Sequence, residues 1–331
     1  MAKNPHPRAG YRNTARLLVR AIRGPALLAA CLMLAAPSYA GGSDMTQTEP
    51  VIRTTHGDER WFPGNPRELQ SMISQFIERA QPISAITGRI VSAIAPHAGY
   101  VYSGPVAGYT FRAIRDNIRQ TGNQPDTVIV IGFSHRGAYP GIALLDGDHI
   151  QSPLGRSPLD RKAGQRLVDR FPAIRWDPRP HNGEHSAENL IPFIQVILPD
   201  APLVVALMGD HSAATVEGFV KALETLAGEQ SILVISSTDL LHDPDYHRVR
   251  KTDQTTLDIM ARLDTAALVK RWSPDEQICC GIGPVQTAMR FASSQGGRQG
   301  TLLHYRNSGD DFPESRGSWV VGYGAMVFAI P

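Results

Sequence analysis

Short apolar runs alternate along the chain with longer stretches whose apolar residues recur every three to four positions, and that rhythm defines the elements. Ile90 to Ala95, Thr127 to Gly132, Leu203 to Gly209 and Ser231 to Ser237 read as buried strands, with a weaker run from Gly141 to Leu145. Pro66 to Ala80 places Leu69, Met72, Ile73, Phe76 and Ile77 on one face of a helix. Further helices are predicted over Pro105 to Arg119, Asp160 to Phe171, Ser186 to Leu198, Ala213 to Ala227, Thr252 to Arg271 and Pro284 to Ser294. Strands are predicted at Thr301 to Tyr305 and Trp319 to Ala329. Alternating βα units imply one α/β domain, a mostly parallel sheet covered by helices on both faces.

Residues just past the strand ends carry the chemistry. The runs end at Pro96-His97, Ser134-His135, Asp210-His211, and Asp239 with His242, while the weak run leads into Asp146 and Asp148. In a parallel sheet all carboxyl ends lie along one edge, so these polar clusters are expected to converge on a single crevice. The segment from Pro96 through Gly104 is rich in small residues and glycines, which would let the backbone turn tightly beside a ligand.

Charge changes the picture at the amino end. Lys3, Arg8, Arg12, Arg16, Arg20 and Arg23 face no acidic residue within positions 1–40, and with them set aside 27 basic residues stand against 31 acidic ones. The remainder has no basic stripe, so a nucleic-acid partner is disfavoured. The basic residues precede an apolar stretch from Pro25 to Pro37 and a small-residue pattern ending at Ala40, which predicts an export signal over 1–40. That stretch is too short for a bilayer span, which needs roughly 20 apolar residues, so no stable membrane span is expected after its removal. A disordered tether over 41–54 and the α/β domain over 55–331 would come next, in the periplasm or outside the cell. Cleavage at Cys31 as a lipoprotein is the lesser alternative, because that cysteine lies inside the apolar stretch.

Processing would leave only Cys279 and Cys280, too few for a disulfide scaffold. Adjacent cysteines form a strained vicinal disulfide or supply a ligand or nucleophile. Cys280 precedes the helix predicted from Pro284, whose dipole would favour its thiolate. A histidine after a strand is by itself usually a solvated loop residue. Two at equivalent strand ends together with Cys280 make a metal set, His97, His135 and Cys280, suited to iron, copper or zinc rather than calcium or magnesium. Three protein ligands leave a coordination position open, as catalytic metal sites do. Asp239 and His242, three apart, would share one face of a turn, where the carboxylate orients an imidazole or His242 moves protons. In Glu184-His185-Ser186, His185 faces the crevice or Ser186 merely caps a helix.

Together the segments Trp61-Phe62-Pro63, Pro96-His97-Ala98-Gly99-Tyr100, Gly132-Phe133-Ser134-His135, Ser152-Pro153-Leu154-Gly155, Glu184-His185-Ser186, Ser236-Ser237-Thr238-Asp239 with His242, and Cys280-Gly281-Ile282-Gly283-Pro284 resemble the Memo family, in bacteria the AmmeMemoRadiSam system protein B. The resemblance covers roughly residues 55–330. It implies the fold of class III extradiol ring-cleaving dioxygenases, with His97, His135 and Cys280 at the metal-site motifs and Asp239 and His242 at neighbouring positions. The chain departs from the family at Ser237-Thr238-Asp239-Leu240, where Ser-Ser-Asp-Phe is usual. Leu240 would then alter the pocket wall. Cysteine also replaces the carboxylate of the related dioxygenases.

No nucleophile elbow, dinucleotide fingerprint or phosphate loop is present. The reading is an exported protein with a mononuclear transition-metal site and metal-dependent redox or dioxygenase-like chemistry, with His242, Asp239 and His185 in the catalytic roles. Two alternatives use the same crevice: a non-catalytic metal- or peptide-binding module, and a cysteine-dependent hydrolase with His97 or His135 as base. The ligand itself, a small molecule or a peptide, is left open.

Overall fold

Alternation along the central strands sorts their side chains into two cores. Val128 and Val130, Leu203, Val205 and Leu207, and Leu233 and Ile235 face one layer of helices, whereas Ile129 and Ile131, Val204, Ala206 and Met208, and Ile232 and Val234 face the other. All are essentially inaccessible to solvent, and each large apolar side chain so buried contributes about 1.5–3 kcal/mol. These relationships come from a computed structural model, which describes residues 49–56, 59–81 and 86–331. The expected signal sequence and the tether up to position 48 lie outside the described residues.

In chain order the elements are β1 (Ile52–Thr54), α1 (Pro66–Arg79), β2 (Arg89–Ala95), α2 (Tyr100–Thr121), β3 (Thr127–Phe133), β4 (Ile142–Leu144), β5 (His149–Ser152), β6 (Gly155–Pro158), α3 (Arg161–Arg170) and β7 (Ile174–Trp176). They continue with α4 (Ile191–Ile197), β8 (Leu203–Met208), α5 (Ala213–Ala227), β9 (Ile232–Ser237), β10 (His242–Asp243), α6 (Tyr246–Ala261), α7 (Thr265–Arg271), α8 (Ile282–Ser294), β11 (Gly300–Asn307), α9 (Ser308–Asp311) and β12 (Val320–Ile330). Strands β2, β9, β3 and β8 form the parallel centre of a nine-stranded sheet ordered β10-β12-β2-β9-β3-β8-β4-β7, with β11 on β12. Antiparallel pairs extend it at both edges. Helices α1, α2 and α4 cover one face, and α3, α5, α6, α7 and α8 cover the other. Among the described residues no helix is long and apolar enough to cross a membrane.

Several elements differ from the sequence reading. β4 runs antiparallel to β8, so its carboxyl end leaves at the opposite edge. Asp146 there pairs with Arg161, and Asp148 accepts the Val51 amide at 2.7 Å, so neither reaches the crevice. Ile52–Thr54, within the stretch expected as tether, form β1 and pair with β5 in a separate three-stranded sheet.

Helix α2 starts at Tyr100, ahead of Pro105, and tolerates the proline because the hydrogen bond that Pro105 lacks would fall on the carbonyl of exposed Val101 in the first turn. Gly104 therefore sits inside a helix against the Phe76 ring rather than in a ligand-binding turn. The long helix expected over Thr252 to Arg271 is two, broken at Leu263 (φ 57°), after which Asp264 caps α7. Ser186 caps no helix. Its hydroxyl exchanges two hydrogen bonds with the Phe133 backbone, and regular helix begins only at Ile191.

Candidate metal centre

The site is built at the carboxyl edge of β2, β3 and β9. His97 stands two residues past β2, His135 two past β3 and Asp239 two past β9, so parallel pairing brings their loops side by side. Cys280 is placed by a different device. Its neighbour Cys279 bridges Leu240, and the Cys280 amide donates to the Asp239 carbonyl at 3.2 Å, so the Cys279-Cys280 segment is stitched to the tail of β9 just before α8. Both thiols are free, and no disulfide joins them.

The candidate ligand atoms of His97, His135 and Cys280 all lie within 4.8 Å of one another. His97 Nε2 and Cys280 Sγ are 3.7 Å apart. Metal–nitrogen and metal–sulfur bonds of about 2.0 and 2.3 Å at a tetrahedral angle would separate those atoms by roughly 3.5 Å, so this pair nearly holds the spacing that a shared ion requires.

The orientation of both imidazoles is set by their partners. The Ser237 hydroxyl has a single proton, which it gives to the Ser186 carbonyl, so at 2.8 Å from His97 Nδ1 it must accept. His97 therefore carries its proton on Nδ1 and turns a bare Nε2 toward Cys280. Burial, reinforced by the nearby His135, holds the His97 ring well below its ordinary pKa and keeps it neutral. His135 Nδ1 lies 2.9 Å from Glu184 Oε1, which likewise leaves its Nε2 as the free nitrogen. An imidazole fixed by a carboxylate or hydroxyl through its other nitrogen is the usual way a metal-ligating histidine is oriented.

Glu184 is the residue that the sequence reading passed over. Its carboxylate also accepts the backbone amides of His135, His185 and Ser186 at 2.7–2.8 Å. Although burial opposes it, the bond to His135 and these amides hold its pKa down at about 2. Glu184, His135 and His185 form a second group of donors at metal-binding separation. Because the Glu184 oxygens are already taken by four donors, this group supports the first site rather than forming another.

His185 is sandwiched between Trp61 (3.8 Å between ring centroids, 13° between planes) and His135 (4.5 Å, 16°), making a three-ring stack that ends on a candidate ligand. Burial first, and then the neighbouring His97 and His135, push its pKa down to about 3. Asp239 is fully enclosed. Its Oδ1 accepts the His97 amide at 2.9 Å and the Ala98 amide at 3.4 Å, and its Oδ2 lies 3.8 Å from His97 Nε2. The carboxylate thus orients the His97 loop rather than His242.

His242 sits on β10, opposite Val321, instead of sharing a turn with Asp239. It lines a cleft of about 360 Å³ whose wall also includes Phe133, His135, Cys280, Arg248 and Trp319. Leu241 belongs to that wall, whereas Leu240 points into the core, so the departure from the family at position 240 falls outside the cleft wall. His211 packs against Gly283 and stands 6.3 Å from the Phe133 ring, outside the ligand set.

Cys280 departs from expectation in one respect. The Asp239 amide points at its sulfur at 3.1 Å, yet burial and the Asp239 carboxylate raise its thiol well above the ordinary range. The positive end of α8 is not enough to make a free thiolate. A cation at the shared point would supply the missing charge, which is how a coordinating thiol loses its proton.

The Memo-like protein model matches residues 54–327. A MEMO1 family protein of Thermoplasma acidophilum is 30% identical over 275 residues, covering 82% of this chain and 96% of its own. One from Methanopyrus kandleri is 28% identical over 278 residues, covering 81% and 96% respectively. With that match spanning nearly the whole described fold, the chain belongs to the Memo-like protein family.

Proposed function

We propose that His97, His135 and Cys280 hold a single transition-metal ion, iron or copper with zinc as a third candidate, and that the protein performs metal-dependent redox chemistry on a small molecule in the adjoining cleft. The observation that carries this reading is the fixed ring orientation: two imidazoles, each held through Nδ1, present their Nε2 atoms beside a thiol 3.7 Å from one of them. When bound, the metal would supply an open position at which dioxygen or a phenolic oxygen is polarised. Ser237 and Glu184 fix the two rings, and the Trp61–His185 stack keeps His135 in its plane. Asp239 anchors the His97 loop, and His242, at the cleft wall, gives or takes a proton at its ring nitrogen as substrate enters.

The high thiol pKa and the low His97 pKa argue against a cysteine hydrolase that uses His97 as its base, which needs the thiolate–imidazolium pair. Export remains part of the proposal. The charged and apolar pattern of residues 1–40 supports a periplasmic or extracellular site of action.

The test is elemental analysis of protein purified from the periplasm, in parallel with oxygen uptake in the presence of catechols. Stoichiometric iron or copper with turnover supports the proposal. Stoichiometric metal without any turnover leaves a binding module, and alkylation-sensitive turnover without metal would restore the hydrolase.

A further inference from the structure

A second cleft, of about 370 Å³, lies on the other side of the His135 loop and is lined by Ser134, Arg136, Tyr139, Arg175, Asp177 and Arg179 among others. We propose that it is an oxyanion subsite that takes the phosphate group of a small substrate whose body reaches His135. The assignment of a substrate class rests on the metal-centre reading, whereas oxyanion binding at the cleft does not.

Surface arginines ordinarily sample many conformations, but these three are each tied down. Arg136 donates from Nε to the Gly183 carbonyl at 2.9 Å, and its Nη2 lies where a Cβ on Gly183 would stand, 2.6 Å away, so the guanidinium rests against the bare glycine backbone. Arg175 is held over the Tyr139 ring at 5.6 Å and donates to the Pro140 carbonyl at 2.5 Å. Arg179 makes a two-pronged pair with Asp177, both contacts 2.8 Å. Asp177 is also 3.5 Å from Arg175, and chiefly through Arg179 its pKa is held far below the carboxylate range, so it is always charged.

The charge balance favours a dianion. Three guanidiniums against one carboxylate leave two positive charges around the cleft. The Arg136 terminal nitrogens have no carboxylate partner among the described residues, and they form the planar fork that matches two phosphate oxygens. Ser134 adds a neutral donor. Its oxygen accepts the Arg136 amide at 3.2 Å, which leaves the hydroxyl proton without an acceptor among the described residues. Ser134 and Arg136 flank His135 directly in sequence, so an anion held by them is a neighbour of a metal ligand.

Calorimetric titration of inorganic phosphate at constant ionic strength tests this in the wild type and in Arg136→Gln, Arg136→Lys, Lys221→Gln and Cys280→Ser. The expected result is saturable binding that weakens by about tenfold or more in Arg136→Gln, consistent with loss of a charged hydrogen bond, and by less in Arg136→Lys. Lys221→Gln, which removes a distant exposed cation on α5, and Cys280→Ser should bind phosphate as the wild type does. Benzoate in place of phosphate should bind more weakly. The proposal is overturned if phosphate does not saturate, if Arg136→Gln binds it unchanged, if Lys221→Gln loses as much, or if benzoate binds as tightly. Retention of full metal by Cys280→Ser would remove the cysteine from the ligand set of the metal-centre reading while leaving the phosphate result intact.

Discussion

Ser237 Oγ stands 2.8 Å from His97 Nδ1 and gives its only proton to the Ser186 carbonyl, so one hydroxyl fixes which nitrogen of His97 faces Cys280. Replacing it tests the tautomer. Ser237→Ala should fold, with a loss of about 1–3 kcal/mol for the partners left unpaired, and should bind metal about 10–100-fold more weakly. Competition with a chromophoric chelator gives the affinity. Unchanged affinity would show that His97 does not depend on Ser237 for its orientation.

Glu184 sits at the junction of the metal set and the backbone, accepting one imidazole and three amides. Glu184→Gln turns an –NH₂ toward groups that are themselves donors. Thermal and urea unfolding should report a loss of a few kcal/mol, and metal affinity should fall along with stability. A variant of wild-type stability would mean that the carboxylate is replaceable by any acceptor.

Asp253 supplies the pH dependence. It is buried beneath β12, accepts the Leu241 amide and the Tyr305 hydroxyl at 3.0 and 2.8 Å, and burial raises its pKa from 3.8 to about 7. Between those values the folded protein holds a proton that the unfolded chain releases. This group's stabilisation is therefore full below about pH 4, declines as pH rises, and is gone above about pH 7. Asp253→Asn should gain stability relative to wild type across that interval, by up to a few kcal/mol in urea unfolding at several pH values. A constant difference between the two proteins would contradict the shift.

Much of this was legible in the sequence because parallel strands obey a simple rule. Apolar runs leading into His97, His135 and Asp239 converge whenever the strands share a direction, and β2, β3 and β9 do. The same rule failed at Asp146 and Asp148, since three apolar residues in β4 carry no mark of strand direction. Glu184 was hidden for another reason. A charge at the head of an apolar stretch looks like a helix start, and only the register of the His135 loop against residues 184–186 shows that two of its four donors come from His135. Cys280 was found as a ligand candidate through its place before α8, although its position comes from pairing with the tail of β9.

The shared sulfur and imidazole site stands or falls with the visible and near-ultraviolet spectrum of cobalt-substituted protein, wild type against Cys280→Ser. About one cobalt per chain with a sulfur-to-metal charge-transfer band is expected in the wild type, and loss of that band with weakened binding in the serine variant. The same band at full stoichiometry in Cys280→Ser, or a wild-type spectrum with no sulfur contribution, would contradict a centre built on His97, His135 and Cys280.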